Sequence, residues 1–450
     1  MAVAVMPATP IRRAASAVLA ASLTLTAVPA FAQARIPWPP IDGLIERPED
    51  FVAVPQTRPA HYIVPETDCK PADPALSWTR LPRPLRELSL RQMIGQLLVV
   101  SYSGSAPDSA GVAIAQDALR RSEIGGVLTF RHNIKSADET RGVNEILVAA
   151  NPLLPAMIAV DQEGGAVMRL RPSEGGPDTP SAADVAEGSI EDARKTYNEM
   201  AEALADLGFN ANFGPVVDLS INPNNPVIAQ FGRAYGDDPE TVERYAEAFI
   251  DAHHAAGVAT ALKHFPGHGS SRADSHIGAI DLTSTWSPVE LEPFQALIDE
   301  DEADMVMIGH LELDGVTGPG DLPASLSPVA IQTILRDTFC FDGVVVSDDL
   351  AMDAVEKRWG SADAARLMIE AGGDIALLSL SADKGMKLVT EITDSLAAKA
   401  EASPEFAAKI RYAYARVANH KLDLAERQRK AAASGAASSP AEPSAATQPD

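Results

Sequence analysis

The stretch "FDGVVVSDDL" (Phe341–Leu350) sets three consecutive valines behind a glycine and follows them with Ser347, Asp348 and Asp349. A short β-branched run with no polar alternation reads as a strand buried on both faces, the kind found in parallel sheets. The same cadence recurs along the chain. It appears as "IGQLLVV" (94–100), "GGVLTF" (125–130), "AMIAVDQEGG" (156–165) and "FNANFGPVVDLS" (209–220). It continues as "VATALKHFPG" (258–267), "ADMVMIGHL" (303–311) and "GDIALLSL" (373–380). Nearly every gap between these runs holds an amphipathic helical pattern. Examples are "SIEDARKTYNEMAEALADLG", "DPETVERYAEAFIDAHHAAG" and "SPVELEPFQALIDE", with Ser or Asp near the start and often Gly at the end.

Eight buried strands alternating with helices over about 310 residues predict an α/β fold of (β/α)8 type, a single catalytic TIM-type barrel. A doubly wound open sheet is the structural alternative, but no G-x-G-x-x-G follows the first strand to favour it. In a barrel the chemistry lies at the C-terminal ends of the strands. The sequence puts Asp161, Asp218, Lys263 with His264, His310, and Asp348 with Asp349 at those ends. One strand ending in an acid is ordinary. Several ending in ionisable groups at one rim make a site.

The 450 residues carry a net charge of −25, which argues against a nucleic-acid partner, since such a protein shows a basic footprint. Residues 1–32 read as a secretory signal peptide. Arg12 and Arg13 precede the apolar "AASAVLAASLTLTAVPA", and Ala30 and Ala32 supply small residues for cleavage before Gln33. Export to the periplasm or beyond follows as the expectation, with no stable membrane anchor after cleavage. No later segment reaches the roughly 18 apolar residues of a membrane helix. Residues 33–84 are proline-rich and read as an extended segment, 85–425 as the barrel domain, and 426–450 as a disordered Ala/Ser/Pro tail. Cys69 and Cys340 are the only cysteines. An oxidising compartment would allow them to pair.

The fifth run opens into "KHFPGHGSSRADSHIG" (263–278), with three histidines in sixteen residues. His264 and His268 have the i, i+4 spacing of a helical metal site. Pro266, Gly267 and Gly269 make that stretch a poor helix, so the spacing loses its geometric meaning, and no metal is expected. His268, flanked by glycines, reads as a structural brace. In "DSH", Asp274 and His276 would point the same way in an extended segment, close enough for the carboxylate to accept the imidazole N–H. A serine nucleophile beside such a pair is an alternative, but no G-x-S-x-G elbow supplies one.

"KHFPGHG" followed by "DSH", with "DQEGG" upstream and "GVVVSDDLAM" downstream, resembles glycoside hydrolase family 3. More narrowly, it is similar to the single-barrel β-N-acetylhexosaminidases of the NagZ type. The resemblance spans roughly residues 85 to 420 and includes "GGVLTFRHNI", "NANFGPVVDLS" and "ASLSPVAIQTILRDTFCFDGVVVSDDL". It implies that Asp348 is the nucleophile, His276 the general acid/base and Asp274 the residue that tunes it. It further implies that Asp161, Arg169, Arg233, Lys263 and His264 hold the sugar. Asp349, next to the nucleophile, is expected to be structural.

The implied chemistry is coherent. A retaining glycosidase needs a carboxylate nucleophile and a group that first donates and then removes a proton. Imidazole titrates near neutrality and can perform both steps. "FPGHG" is expected to act as hinge and brace, its glycines letting His276 approach once sugar is bound. A histidine that has given up its proton is neutral, so an anionic acceptor such as phosphate would meet less repulsion, and phosphorolysis stands as the alternative to hydrolysis. The implied substrates are GlcNAc-bearing peptidoglycan fragments or chitin-type oligosaccharides. No cofactor is required, and a monomer is the default for one barrel.

Three features depart from the family pattern. Ser270 stands where an aspartate is common, and Ala166 where an arginine is common. "NPVIAQFGRAYG" is two residues longer than usual before Arg233, an insertion expected to displace that arginine or reshape the site.

Overall fold

The computed structural model describes Lys70 and residues 74–274, 278–318 and 322–438. The chain divides into two units, Met1–Val54 and Pro55–Asp450. The first lies wholly outside the described residues, and with it the expected signal peptide. Cys69, and so the expected pairing with Cys340, also lies outside them.

The eight apolar runs form eight parallel strands. They are β1 (Leu98–Ser101), β2 (Gly126–Thr129), β3 (Met157–Val160), β4 (Ala211–Asn212), β5 (Ala259–Phe265), β6 (Met305–Ile308), β7 (Val344–Ser347) and β8 (Ala376–Ser381). Neighbours in sequence are neighbours in the sheet, and β8 returns to pair with β1. A parallel bridge between Val346 and Ile375 closes β7 onto β8. The ring is therefore the predicted (β/α)8 barrel.

The opening stretch behaves as its composition requires. Met305 pairs with Val344 and Ile308 with Ser347, and all four residues of β7 are buried. Each such aliphatic side chain contributes on the order of 2 kcal/mol by leaving water. The helices begin where the sequence marks them. Ser189 caps Ile190–Asp206 by accepting from the Asp192 amide, and Asp238 caps Pro239–Ala255 by accepting from the Thr241 amide.

Three boundaries differ from expectation. The fourth run pairs with β3 and β5 only at Ala211–Asn212, because Pro215 has no amide to continue the ladder; Val216 rejoins through a bridge to Lys263. The segment expected to be extended up to residue 84 carries the helix Pro74–Arg80 in its described part. The last helix, Pro404–Ser438, runs past residue 425, so the expected tail boundary falls inside it. Lys, Arg and Ala, good helix formers, dominate that stretch. Among the described residues, no helix is long and apolar enough to cross a membrane.

Candidate active site

A cavity of about 240 Å³ opens at the C-terminal ends of the strands. Asp161 after β3, Arg169 eight residues on, Arg233, Lys263 and His264 on β5, and Asp348 after β7 all line it. These six residues, assigned to the site by the sequence, thus meet at one place, although the positions span 187 residues of chain from Asp161 to Asp348.

The β3–β5 side is a lattice of alternating charge. Lys263 Nζ lies 3.2 Å from Asp161 Oδ1 and 2.6 Å from Glu163 Oε1. Arg233 grips Glu163 in fork geometry, with Nε–Oε2 at 2.7 Å and Nη2–Oε1 at 2.8 Å. Arg169 reaches Asp161 Oδ2 at 3.4 Å and lies over the Phe130 ring. His264 donates from Nδ1 to Asp218 at 2.7 Å, which leaves Nε2 as the acceptor facing Arg233 at 3.5 Å. Both of its nitrogens are engaged, and the His268 ring meets it edge-on, 5.8 Å between centroids.

At Glu163 and Asp218 burial resists the charge and the partners overcome it. Burial alone would raise the Glu163 carboxyl, but the charges of Arg233 and Lys263 hold it well below the usual carboxylate range. Burial would raise Asp218 too, but it is held below its usual value with the help of hydrogen bonds from the His264 ring and the His268 amide. His268 goes the other way: burial pushes it down to about 4, so it is neutral near pH 7. That suits the brace expected of it.

On the opposite side, Asp348 Oδ1 accepts from the Asp349 amide at 2.8 Å. Asp349 also borders the cavity, but its Oδ1 accepts from the amides of Ser379 (2.9 Å) and Ala351 (3.0 Å). The Asp349 carbonyl accepts from His310 Nε2 at 2.9 Å. Asp349 ties β7 to β8, the structural part expected of it, and burial raises its carboxyl. Phe130, Val227, Met307, Met352 and Leu377 add apolar surface to the cavity.

The loop after β5 corrects one expectation. Residues 264–271 are buried throughout. Asp218 Oδ1 accepts from the His264 and His268 amides, and Glu290 Oε2 from those of Gly269 (2.8 Å) and Ser270 (3.2 Å). Asn225 Nδ2 donates to the carbonyls of His268 and Gly269, Asn222 Nδ2 to that of Ser271, and Trp286 Nε1 to that of Pro266. Gly269 is there because the chain is squeezed against its neighbour: a Cβ would come 1.8 Å from the Leu219 carbonyl oxygen. A segment whose backbone is tied at this many points reads as a brace rather than as the hinge expected of "FPGHG". Asp274 is half-buried beyond it. His276 lies outside the described residues, and the expected Asp274–His276 contact with it.

Arg233, which follows the longer stretch, lines the cavity. A 3-10 turn, Ala229–Phe231, precedes it, with the Phe231 side chain 54% exposed. Ile228 stays buried, and Arg233 Nη1 donates to the Val227 carbonyl at 3.1 Å. Glu163 and Glu290 are site residues that sequence reasoning does not single out. Glu163 stands in plain view inside "DQEGG", whereas Glu290 reads as an ordinary position in an amphipathic helix.

Comparison with known proteins agrees with this geometry. Residues 89–419 match the "Glycosyl hydrolase family 3 N terminal domain". The chain is 36% identical over 298 residues to "Beta-hexosaminidase LpqI" of Mycobacterium tuberculosis, covering 64% of this chain and 73% of that protein. Among solved structures, a β-N-acetylhexosaminidase from Beutenbergia cavernae superposes with a TM-score of 0.68 at 34% identity, covering 74% of this chain and 99% of its own. A family 3 β-N-acetylglucosaminidase from Paenibacillus gives 0.65 at 32% identity, covering 76% of this chain, which spans only 63% of that longer enzyme. The chain belongs to glycosyl hydrolase family 3, among its enzymes of the β-hexosaminidase type.

Proposed function

We propose that the protein is a retaining, exo-acting β-N-acetylhexosaminidase that removes a terminal β-linked GlcNAc from peptidoglycan fragments or chitin-type oligosaccharides. The observation that carries this reading is the meeting of Asp348 with Asp161, Arg169, Lys263, His264 and Arg233 around one sugar-sized cavity. Carboxylates and cations that alternate on one wall suit a row of hydroxyls, each of which can donate to one and accept from the other. The apolar side chains opposite suit a ring face or an acetamido methyl group.

In the first step an Asp348 oxygen attacks the anomeric carbon while protonated His276 gives its proton to the departing glycosidic oxygen. The C–O bond to the leaving group breaks and a glycosyl ester of Asp348 forms. In the second step neutral His276 takes a proton from water, whose oxygen displaces Asp348 at the same carbon. Two inversions leave the β configuration. Asp274 is the positioning residue for His276, and Asp161, Arg169, Lys263, His264 and Arg233 hold the sugar. Phosphate in place of water would give a sugar 1-phosphate by the same displacement.

Hydrolysis of a chromogenic N-acetyl-β-glucosaminide, abolished by Asp348→Ala and by His276→Ala, tests the assignment. A wild type inert on every hexosaminide would refute it. We also read residues 1–32 as an export signal; a mature N-terminus at Gln33 in exported material is the expected result, and an uncut Met1 the contrary one.

A further inference from the structure

Gln162, in "DQEGG" between Asp161 and Glu163, is wholly buried and does not line the cavity. Its side chain nevertheless reaches the backbone of a residue that does. After β3 the chain doubles back in a tight turn. The Glu163 and Gly164 amides donate to the Val167 carbonyl (2.9 and 3.2 Å), and the Val167 amide donates to that of Gly164 (3.1 Å). Gln162 thereby comes to lie beside the returning limb. Its Oε1 accepts from the amides of Arg169 (2.9 Å) and Leu170 (3.0 Å), and its Nε2 donates to the Leu170 carbonyl at 2.8 Å.

Gln162 is itself held from behind. Its amide donates to Asn212 Oδ1 at 2.9 Å, and its carbonyl accepts from Asn212 Nδ2 at 2.8 Å. Asn212, the last residue of β4, is wholly buried and gives its other Nδ2 proton to His253 Nε2 at 2.9 Å. His253 sits on the helix Pro239–Ala255, with Nδ1 2.7 Å from the Phe249 carbonyl. A carbonyl only accepts, so Nδ1 carries the proton and Nε2 is the acceptor that Asn212 requires. Burial pushes this imidazole down to about 4, which keeps it neutral. One set of donors and acceptors satisfies the whole series from helix to turn.

Arg169 depends on such support. Its guanidinium has one acid partner, Asp161 Oδ2 at 3.4 Å from Nη2, and lies 5.8 Å from the Phe130 ring centroid. Arg233 differs, being fixed by both oxygens of Glu163 and by the Val227 carbonyl. With so little holding its head group, the aim of Arg169 is set by where its backbone is held.

We infer that Gln162 is a positioning residue for the reaction, acting on the sugar through Arg169, with Asn212 and His253 fixing Gln162 in turn. The inference rests on the reading of the cavity as a sugar pocket in which Arg169 meets the substrate. A binding group held by packing and hydrogen bonds behind it loses its productive geometry when that support is removed, and a shift of about 1 Å can cost up to roughly 10²-fold.

A double-mutant cycle tests this, with Gln162→Met, Arg169→Ala and the two together assayed on a chromogenic N-acetyl-β-glucosaminide. Gln162→Met is expected to lower kcat/KM about tenfold, mainly through KM. On the Arg169→Ala background the same change costs less than about twofold, because the group it positions is gone. An equal loss on both backgrounds overturns the inference and leaves the sugar reading intact. So does a fall in Tm with kcat/KM of the folded fraction unchanged. Gln162→Glu covers the case in which Gln162→Met does not fold. It keeps the shape and an oxygen for both amides, and it can donate to the Leu170 carbonyl only while protonated. Relative to the wild type its KM should therefore rise with pH, and this rise should vanish on the Arg169→Ala background; a KM that tracks the wild type at every pH contradicts the inference. Inactivity of the wild type on every hexosaminide removes the sugar reading and this inference together.

Discussion

The barrel has a buried charge network at each end, and the two serve different purposes. At the N-terminal face Asp374 binds Arg336 and Arg416 and also accepts from the Val345 amide at 2.8 Å. Asp304 binds His254 and Arg427 and accepts from the Thr260 amide at 2.9 Å. Lys421, sunk among apolar side chains and pushed down to about 7, reaches the Gly125 carbonyl and Gln96. Each of these contacts sews a helix to the start of a strand. At the C-terminal face Asp161, Glu163, Lys263 and Arg233 bond mainly to one another, and their free edges face a cavity. Burial and charge are common to both networks, so neither marks a site. The N-terminal network also borders a recess, of about 460 Å³ lined by Asp304, Arg416 and Arg427, so facing space does not separate them either. What does is the acids' partners: Asp374 and Asp304 accept from backbone amides as well as from cations, whereas the bonds of Asp161 and Glu163 go to the cations Lys263, Arg169 and Arg233.

The largest effect that would break this contrast is at Asp348. Asp348→Ala should lower kcat/KM by on the order of 10⁴-fold or more while leaving thermal stability near that of the wild type. A large fall in Tm would place Asp348 with the structural network. Asp374→Ala should do the reverse. Leaving Arg336 and Arg416 buried without their acid costs about 3–5 kcal/mol, read as a lower denaturant midpoint, with KM of the folded fraction unchanged. Between the two lies Glu163→Gln. It keeps the shape but removes the charge on which Lys263 and Arg233 rest, and kcat/KM should drop about 10²-fold with modest loss of stability. If it instead unfolds the protein without changing KM, the lattice is scaffold.

The smallest expected effect concerns Glu290 under the loop stem. Burial raises its carboxyl to about 7 from an ordinary 4.5, so the folded state holds the proton more tightly than the unfolded chain. Its contribution to stability is therefore full below about pH 4.5 and is lost as pH rises through 7. Glu290→Gln keeps a carbonyl for the Gly269 and Ser270 amides but cannot titrate. Between pH 5 and 8 the Tm of the wild type should fall more steeply than that of the variant, and equal slopes would contradict this.

Much of the architecture is legible in the chain. The eight strands can be read because both faces of each are buried, so runs such as Val344–Val346 need no partner to be recognised. Lys263 and Asp348 can be placed at strand ends for the same reason. Glu163 is harder, because its meaning depends on Arg233, 70 positions away, and on Lys263. No local pattern announces a partner that only barrel closure provides. Glu290 is hidden because "SPVEL" resembles the start of the helix Glu292–Asp299, whereas Pro288–Leu291 is a separate 3-10 turn that points the acid inward. The hinge expectation fails for a related reason. Glycine suggests freedom in sequence, but Gly269 is required by the close approach of Leu219, and that approach removes the freedom.

In the proposed mechanism Asp348 carries the sugar between the two displacements. Incubation with a 5-fluoro N-acetylglucosaminyl fluoride, which slows the second step, followed by peptide mass mapping, tests it directly. The expected result is one added glycosyl group on the peptide "GVVVSDDLAM", localised to Asp348 and absent from Asp348→Ala. A label on Asp349 or on another peptide, or turnover with no covalent adduct and an inverted product, would contradict it.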